Sequence, residues 1–296
     1  MPELPEFEVV RAGLQPAVTG ATVTSVTVLD ERSLRRHAGP SEDFIDRLTG
    51  ATLATPQRRG KFLWIPLRRA ELVETSPTES LVIHLGMSGQ VLLRDQATDD
   101  PLTRIRIELE HPTHGPLRLN FVDQRIFGSM SLDPLVPTAD HPEQLLPSQV
   151  AHIARDPMDE LFDDRLFLKR LARKNTTIKR ALLDQTLVSG IGNIYADESL
   201  WGARVHYEQA TPTLSRAKAT LLLAEVRAVL AQALAEGGTS FDTQYLNVNG
   251  QSGYFAHSLK AYGQQGRPCP RCGRPIVRES FMNRGSHFCP FCQRVR

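Results

Sequence analysis

The sequence predicts an α+β fold: an N-terminal β-sandwich with one leading helix, a helical domain, and a C-terminal zinc-stapled hairpin. Three observations predict it. Between residues 22 and 122, short stretches alternate apolar and polar residues and are separated by turn residues, as antiparallel strands do. Beyond residue 150 the apolar residues recur every three or four positions, the helical period. All four cysteines lie in the last 28 residues, as two C-x-x-C pairs. A chain of 296 residues, 41% hydrophobic, accommodates two domains and a small appendage. The expected boundaries are 1–133 for the β domain, 134–150 for a linker, 151–258 for the helical domain and 259–296 for the metal hairpin.

Taken in order, Phe7, Val10, Leu14 and Val18 mark one buried helix face, ended by Gly20. Strands are expected at Thr22–Leu29, Lys61–Leu67, Leu81–Leu93, Arg104–Leu109 and Leu117–Val122. Phe44, Ile45 and Leu48 form a short helix closed by Gly50. This run of short strands argues for a sandwich or flattened barrel and against βαβ units. The prolines Pro134, Pro137, Pro142 and Pro147 mark the linker. Helices follow at Leu161–Leu171, Ile178–Leu183, Ile194–Leu200 and Ala217–Ala235. Between the second and third lies Ser189-Gly190-Ile191-Gly192-Asn193. Such a turn either presents backbone N–H groups to an anion at a helix start or simply makes a helix–helix corner. Residues 242–255 mix glycine and polar residues with Tyr245, Tyr254 and Phe255, and read as a functional loop or a plain linker.

Cys269, Cys272, Cys289 and Cys292 form two knuckles separated by sixteen residues, and four thiolates at this spacing surround one tetrahedral Zn2+. Disulfides are a poor alternative in the reducing cytoplasm that the clustered cysteines suggest. The intervening residues fit a two-stranded hairpin with Arg284 at its tip. A unit this small depends on the metal for its folding free energy, and four protein ligands leave no position open for catalysis, so the zinc is structural.

Net charge is only +2, but its distribution is uneven. Arg165 to Arg180 holds seven Lys or Arg and no acid; Ser258 to Arg296 holds eight and one acid. Such patches suit a polyanion, or a solvated helix face and a basic tail. No run of about 18 apolar residues offers a membrane span. Nothing marks an obligate dimer, so a monomer is expected.

The chain opens Met1-Pro2-Glu3-Leu4-Pro5-Glu6-Phe7-Glu8. No signal-like apolar run precedes it, and the small second residue predicts removal of Met1. The chain would then begin with the secondary amine of Pro2. An α-amino group titrates near about 7.7–8.0, so a useful fraction is neutral and nucleophilic at physiological pH. A secondary amine condenses with an aldehyde-type carbon to an iminium ion. Glu3 is a carboxyl beside it, and Pro5 with Glu6 and Glu8 suits a helix start. The same residues also serve as an ordinary helix cap.

Six motifs in order resemble the bacterial formamidopyrimidine-DNA glycosylases over the whole chain. They are Pro2-Glu-Leu-Pro-Glu6, Arg58-Arg-Gly-Lys61, His84-Leu-Gly-Met-Ser-Gly89, Asp123-x-Arg125-x-Phe127-Gly128, Gly190-x-Gly-Asn193-Ile-Tyr195 and the zinc hairpin with Arg284. The sister endonuclease VIII-type enzymes usually open Pro-Glu-Gly-Pro-Glu, so Leu4 favours the formamidopyrimidine branch. The resemblance implies a helix–two-turn–helix domain, damaged double-stranded DNA lying between two lobes, and an enzyme of the bacterial cytoplasm and nucleoid. It implies excision of oxidised purines (8-oxoguanine, formamidopyrimidines) followed by β,δ-elimination at the abasic site. Pro2 is then the nucleophile, Glu3 moves protons, and Lys61 and Arg284 match the elimination residues. Glu6 fixes the N-terminal helix or touches the sugar. Met87, Arg125 and Phe127 match the residues that fill the gap left by an extruded base; Met87 and Phe127 also suit core packing. His84, Lys174 and Asn193 match DNA contacts, and residues 242–255 match the lesion-recognition loop. Leu102 and Ile126 depart from the family's His and Arg or Lys, removing two possible DNA contacts. A sister enzyme for oxidised pyrimidines and a silent DNA-binding relative are the competing expectations; having both Pro2 and Glu3 argues against the second.

Overall fold

Ten strands of the first half pair antiparallel, nine of them along one path, in the computed structural model, which describes residues 2–69, 76–239, 248 and 253–295. Helix α1 (Leu4–Val18) leads into β1 (Thr22–Val28), followed by α2 (Ser41–Leu48), β2 (Thr52–Leu53), β3 (Gln57–Arg59), β4 (Phe62–Arg68) and β5 (Glu79–His84). Then come β6 (Gly89–Arg94), β7 (Thr103–His111), β8 (Gly115–Asp123), β9 (Ser129–Pro137) and β10 (Leu145–Pro147). The pairing order is β10-β9-β5-β4-β2-β1-β7-β8-β6, with β3 on β4. β1 turns the path over, pairing with β2 at Thr22–Thr52 and with β7 along its length through a bulge between Val23 and Ser25. A bulge sharpens local twist, which suits a strand that hands one layer to the next.

Two compact units result. One comprises Met1–Pro2, Glu6–His152 and Ser240–Gly253; the other comprises Glu3–Pro5, Ile153–Thr239 and Tyr254–Arg296. The first is a sandwich around a single core. Leu63, Ile65, Leu81, Ile83, Met130 and Leu132 meet Ile105, Ile107, Leu109, Leu119 and Phe121 there, with Phe7, Val10, Leu14 and Val18 of α1. β7 shows the expected alternation: Ile105, Ile107 and Leu109 are buried while Arg106, Glu108 and Glu110 point outward. On that outer face Glu108 stands opposite Arg118 and accepts from it at 2.8 Å.

Three expectations are corrected. Leu81–Leu93 is two strands, because Gly86 at φ +61° turns the chain between β5 and β6. The expected linker 134–150 carries the end of β9 and all of β10, paired Leu145–Pro137, Leu146–Val136 and Pro147–Leu135. Pro137 and Pro147 end β9 and β10, Pro142 lies in the turn between them and Pro134 lies within β9; buried Asp133 ties the segment down by accepting from Ser148 Oγ at 3.1 Å and Gln149 N at 2.9 Å. Of the expected lesion loop, residues 242–247 and 249–252 lie outside the described residues. Val248 packs in the first unit's core, not in the helical domain, and its carbonyl accepts from Leu93 N at 3.1 Å.

The second unit contains α3 (Asp164–Arg173), α4 (Ile178–Leu183), α5 (Asn193–Ala203), α6 (Arg216–Ala235) and the hairpin β11 (Val277–Phe281) and β12 (Arg284–Phe288). Asp163 and Ser215 cap α3 and α6 by accepting from Leu166 N and Lys218 N. α5 is buried on nearly every side and runs through the core, where Tyr195 and Leu200 meet Leu222, Leu223 and Val226 of α6. The expected separate 259–296 hairpin shares this core through Phe281 and Phe288. Its turn is Met282-Asn283, both at positive φ, so Arg284 stands beside the tip as the first residue of β12, opposite Phe281.

Candidate active site and nucleic-acid interface

In the second unit the glycine turn before α5 receives the chain's own N-terminal segment. Leu4 N donates to Gly190 O at 2.9 Å. Glu3 accepts at Oε2 from Gly192 N at 2.6 Å and Tyr195 N at 3.4 Å, and at Oε1 from Ile194 N at 3.0 Å. The carboxylate therefore occupies the positive end of α5, where free N–H groups and the helix dipole complement an anion. Of the two sequence readings of this turn the anion seat is the one observed, and the anion it holds is Glu3. The glycines are required by space: a Cβ on Gly192 would stand 2.3 Å from Glu3 Cδ, and one on Gly190 would stand 2.6 Å from Leu4 Cδ1.

Further along α5, two adjacent acids organise the rest of the unit. Asp197 pairs with Lys179 at 2.6 Å and accepts from Ser286 Oγ at 3.2 Å and His287 N at 2.8 Å, joining α4, α5 and β12. Glu198 accepts from the N–H groups of Lys260, Ala261 and Tyr262 at 3.0, 2.8 and 2.7 Å. Burial raises the Glu198 carboxyl above the usual carboxylate range despite these three donors. Asn193 is buried with its amide donating to Gly285 O at 3.0 Å. This holds β12, and with it Arg284, against the start of α5. Lys179, Asp197 and Glu198 were not expected as site residues. The signal was there: two consecutive acids inside the otherwise apolar Asn193–Ala203 run are affordable only if each has donors.

The basic stretch Arg165–Arg180 is accordingly not one solvated face. Lys179 is wholly buried, and burial depresses its ammonium despite Asp197 and Glu3. Lys174 closes α3 and forms an ion pair with Asp184.

In the first unit, Lys61 follows Gly60 (φ +56°) at the β3–β4 turn. Arg58 of the same motif is a brace, donating to Glu8 Oε2 at 2.9 Å and Gly60 O at 3.1 Å. His84 ends β5 with its ring 5.0 Å from that of Phe62, and Nδ1 accepts from Gly86 N at 3.1 Å. Burial, then the cations Arg36, Arg35 and Lys61, lower His84 to about 4. The ring is neutral at physiological pH, and with Nδ1 accepting, the proton resides on Nε2 as a donor.

Asp123, fully buried, staples two turns together. It accepts from Ser88 Oγ at 2.5 Å, Arg125 N at 3.1 Å and Gly128 N at 2.7 Å. Met87 and Phe127 are thereby held outward, 43% and 46% exposed, with Arg125 also exposed. The core-packing reading of Met87 and Phe127 is overturned. Leu102 and Ile126, the two departures, both adopt positive φ (65° and 56°), and the Leu102 carbonyl accepts from Asp123 N at 3.2 Å.

The four cysteine sulfurs lie within 4.8 Å of one another. Tetrahedral Zn2+ with Zn–S near 2.3 Å needs sulfurs about 3.8 Å apart, so the set fits and leaves no ligand position open. Trp201 Nε1 of α5 donates to Cys269 Sγ at 3.4 Å. Burial opposes ionisation of Cys269, but this bond and the N–H groups of Arg271 and Cys272 bring its thiol down, whereas burial pushes the thiols of Cys289 and Cys292 up.

The fold and its cysteine cluster define the class of zinc-finger DNA glycosylases. Models of the formamidopyrimidine-DNA glycosylase N-terminal domain, its H2TH domain and the zinc finger found in FPG and IleRS match residues 1–130, 153–245 and 266–295. The formamidopyrimidine-DNA glycosylase of Leifsonia xyli is 62% identical over 303 residues, covering 100% of both chains. That of Streptomyces avermitilis is 52% identical, covering 100% of this chain and 98% of its own. Lactococcus lactis Fpg bound to abasic-site DNA superposes with a TM-score of 0.80 at 30% identity over 99% of each chain. The same enzyme bound to DNA containing an oxidised pyrimidine also gives 0.80. The chain belongs to the formamidopyrimidine-DNA glycosylase family. Among the described residues, no helix is long and apolar enough to cross a membrane.

Proposed function

We propose that this protein excises oxidised purines, 8-oxoguanine and formamidopyrimidines, from duplex DNA and then cleaves the strand at the abasic site. The observation that carries the reading is the seat of Glu3. A carboxylate locked by three backbone N–H groups fixes the position of the residue before it, Pro2, which is what a nucleophile on a terminal residue needs.

With Met1 removed, the Pro2 amine attacks the sugar C1′ and the damaged base leaves. The sugar ring opens as its oxygen gains a proton, giving an iminium on Pro2. Glu3 handles that proton. The iminium acidifies the C2′ hydrogens, so loss of a proton expels the 3′ phosphate and a second elimination expels the 5′ phosphate. Lys61 and Arg284 bind these phosphates. Arg284 acts as a charge and not as an acid, because a guanidinium holds its proton above about pH 12. Met87, Arg125 and Phe127 fill the gap left by the extruded nucleotide. His84 donates from Nε2 to a phosphate, and Lys174 and Asn193 contribute further DNA contacts. Zn2+ supplies no chemistry; it holds the hairpin that carries Arg284. The enzyme works as a monomer in the cytoplasm, on the nucleoid.

Borohydride reduction during turnover of an 8-oxoguanine duplex tests this. A covalent adduct mapping to Pro2 is expected, lost when the amine is blocked. An intact duplex without adduct would remove the proposal. A second substrate class, oxidised pyrimidines, is favoured by the solved Lactococcus lactis complex with such a lesion. Competition between the two lesions ranks them.

A further inference from the structure

The second unit carries two neighbouring cavities that the excision chemistry does not use. One, about 760 Å³, is lined by Arg204, Lys218, Arg271 and Arg294 around Val205 and Phe291. The other, about 430 Å³, is lined by Arg165, Lys169 and Arg216 around Leu168 and Leu171. Leu214 lines both, so the two cavities adjoin at its side chain and together make one candidate groove. No Asp or Glu lines either cavity, although the metal-ligand sulfurs of Cys272 and Cys292 line the first, and among the described residues none of the seven cations forms an ion pair with a carboxylate. Lys218 and Arg271 instead donate to the carbonyls of Ala203 and Trp201 at the end of α5. That end is opposite the one that seats Glu3, and eleven residues at about 1.5 Å each separate them by roughly 16 Å. The groove is thus distinct from the site of reaction.

We propose that this groove docks a short acidic peptide segment bearing an apolar side chain, from a partner protein. The cations complement carboxylates. The apolar floor, with Phe291 44% exposed and Leu214 half-buried, demands an anchor that a phosphodiester backbone lacks. An acidic peptide with one aromatic residue satisfies both halves; a nucleic acid satisfies only the first.

The probe is a fluorescein-labelled peptide of Asp and Glu with one central Phe, titrated by anisotropy against the full-length zinc-loaded protein. Saturable binding is expected, weakened tenfold or more by replacing the peptide's Phe with Ala. The same loss is expected from Arg204→Asp with Arg294→Glu, since Asp tolerates the left-handed backbone at position 204 (φ 54°). Arg216→Glu on the other cavity should weaken binding as well, whereas Arg267→Glu, an exposed cation outside the groove, should not. Melting temperature and lesion excision by each variant serve as folding controls. No saturable binding at low salt, or binding indifferent to the groove variants, overturns the proposal. So does tighter, groove-dependent binding of a single-stranded oligonucleotide of equal charge, which would make nucleic acid the occupant.

Discussion

Glu3 and Gly192 are matched so closely that position 192 admits no side chain without displacing the Glu3 carboxylate. The Gly192 N–H reaches Glu3 Oε2 at 2.6 Å, and a methyl group at 192 would overlap the Glu3 carboxyl carbon at 2.3 Å. Gly192→Ala should therefore expel the Glu3 side chain and shift Pro2 with it. A misplacement of about 1 Å in a reacting group costs on the order of a hundredfold in rate. We expect adduct formation to slow by about that factor and melting to fall as well, because the buried N–H groups of Gly192, Ile194 and Tyr195 lose their acceptor even though the φ of −125° at 192 suits alanine. Trapping kinetics alongside a thermal melt separate the two effects. An alanine variant trapped at the parental rate would mean that the seat does not position the nucleophile.

Much of this was legible in the sequence because local chemistry dictated it. The C-x-x-C pairs, the glycines before α5 and the alternation of β7 each follow from rules that act over a few residues. What sequence alone concealed was long-range. The anion facing the glycine turn comes from 189 residues earlier in the chain, as Glu3. Lys179 looks like one more member of a basic run, yet its partner Asp197 and Ser286 of β12 hold it in the core. Met87 and Phe127 carry core-type side chains, and only the Asp123 staple explains why both face outward. Charge counted along a chain reports neither burial nor pairing.

The Asp123 staple yields a prediction about which step fails. Asp123→Ala strands the buried N–H of Gly128, costing about 1–3 kcal/mol without a partner, and leaves Arg125 N with only Ser88 Oγ. It also frees Met87 and Phe127 from their outward setting. On the proposed reading those side chains serve to extrude a base, which a site that has already lost its base does not require. Excision of 8-oxoguanine should fall tenfold or more in Asp123→Ala and in Met87→Ala, with cleavage of a preformed abasic site nearly unchanged. Parallel assays on the two substrates measure the ratio; an equal loss on both would reject a role in extrusion.

His84 makes stability depend on pH in a definite direction. Its folded value of about 4 lies below the ordinary 6.5, because burial and three nearby cations disfavour the imidazolium. Between pH 6.5 and 4 the unfolded chain binds a proton that the folded chain refuses. Its contribution is complete above pH 6.5 and is lost as pH falls through that window, by at most about 3 kcal/mol. His84→Gln should flatten the denaturation midpoint between pH 6.5 and 4 relative to the parent. Two parallel curves would show that His84 is not the titrating group.

Removal of zinc should unfold one part of the chain and spare another, and Trp201 reports which. Its indole donates to Cys269 Sγ, and Arg271 stacks 4.1 Å over its ring while donating to its carbonyl at 3.0 Å. The knuckle's own core is small: Cys269, Ile276 and Cys289, with Trp201 and Cys292 packed against them. A core of that size cannot offset the entropy of ordering the hairpin, so the metal supplies the difference. Chelation should move Trp201 emission toward that of a hydrated indole and raise amide exchange along β11 and β12. The chain has two tryptophans, and Trp64 lies buried in β4, so Trp64→Phe isolates the signal. Exchange protection in β4, β5, β7 and β8 should persist, since their core contains no residue of the knuckle. Lesion-DNA affinity should fall at the same zinc occupancy at which Trp201 shifts, and both should recover when zinc is restored. If affinity survives complete removal of the metal, the hairpin does not hold DNA.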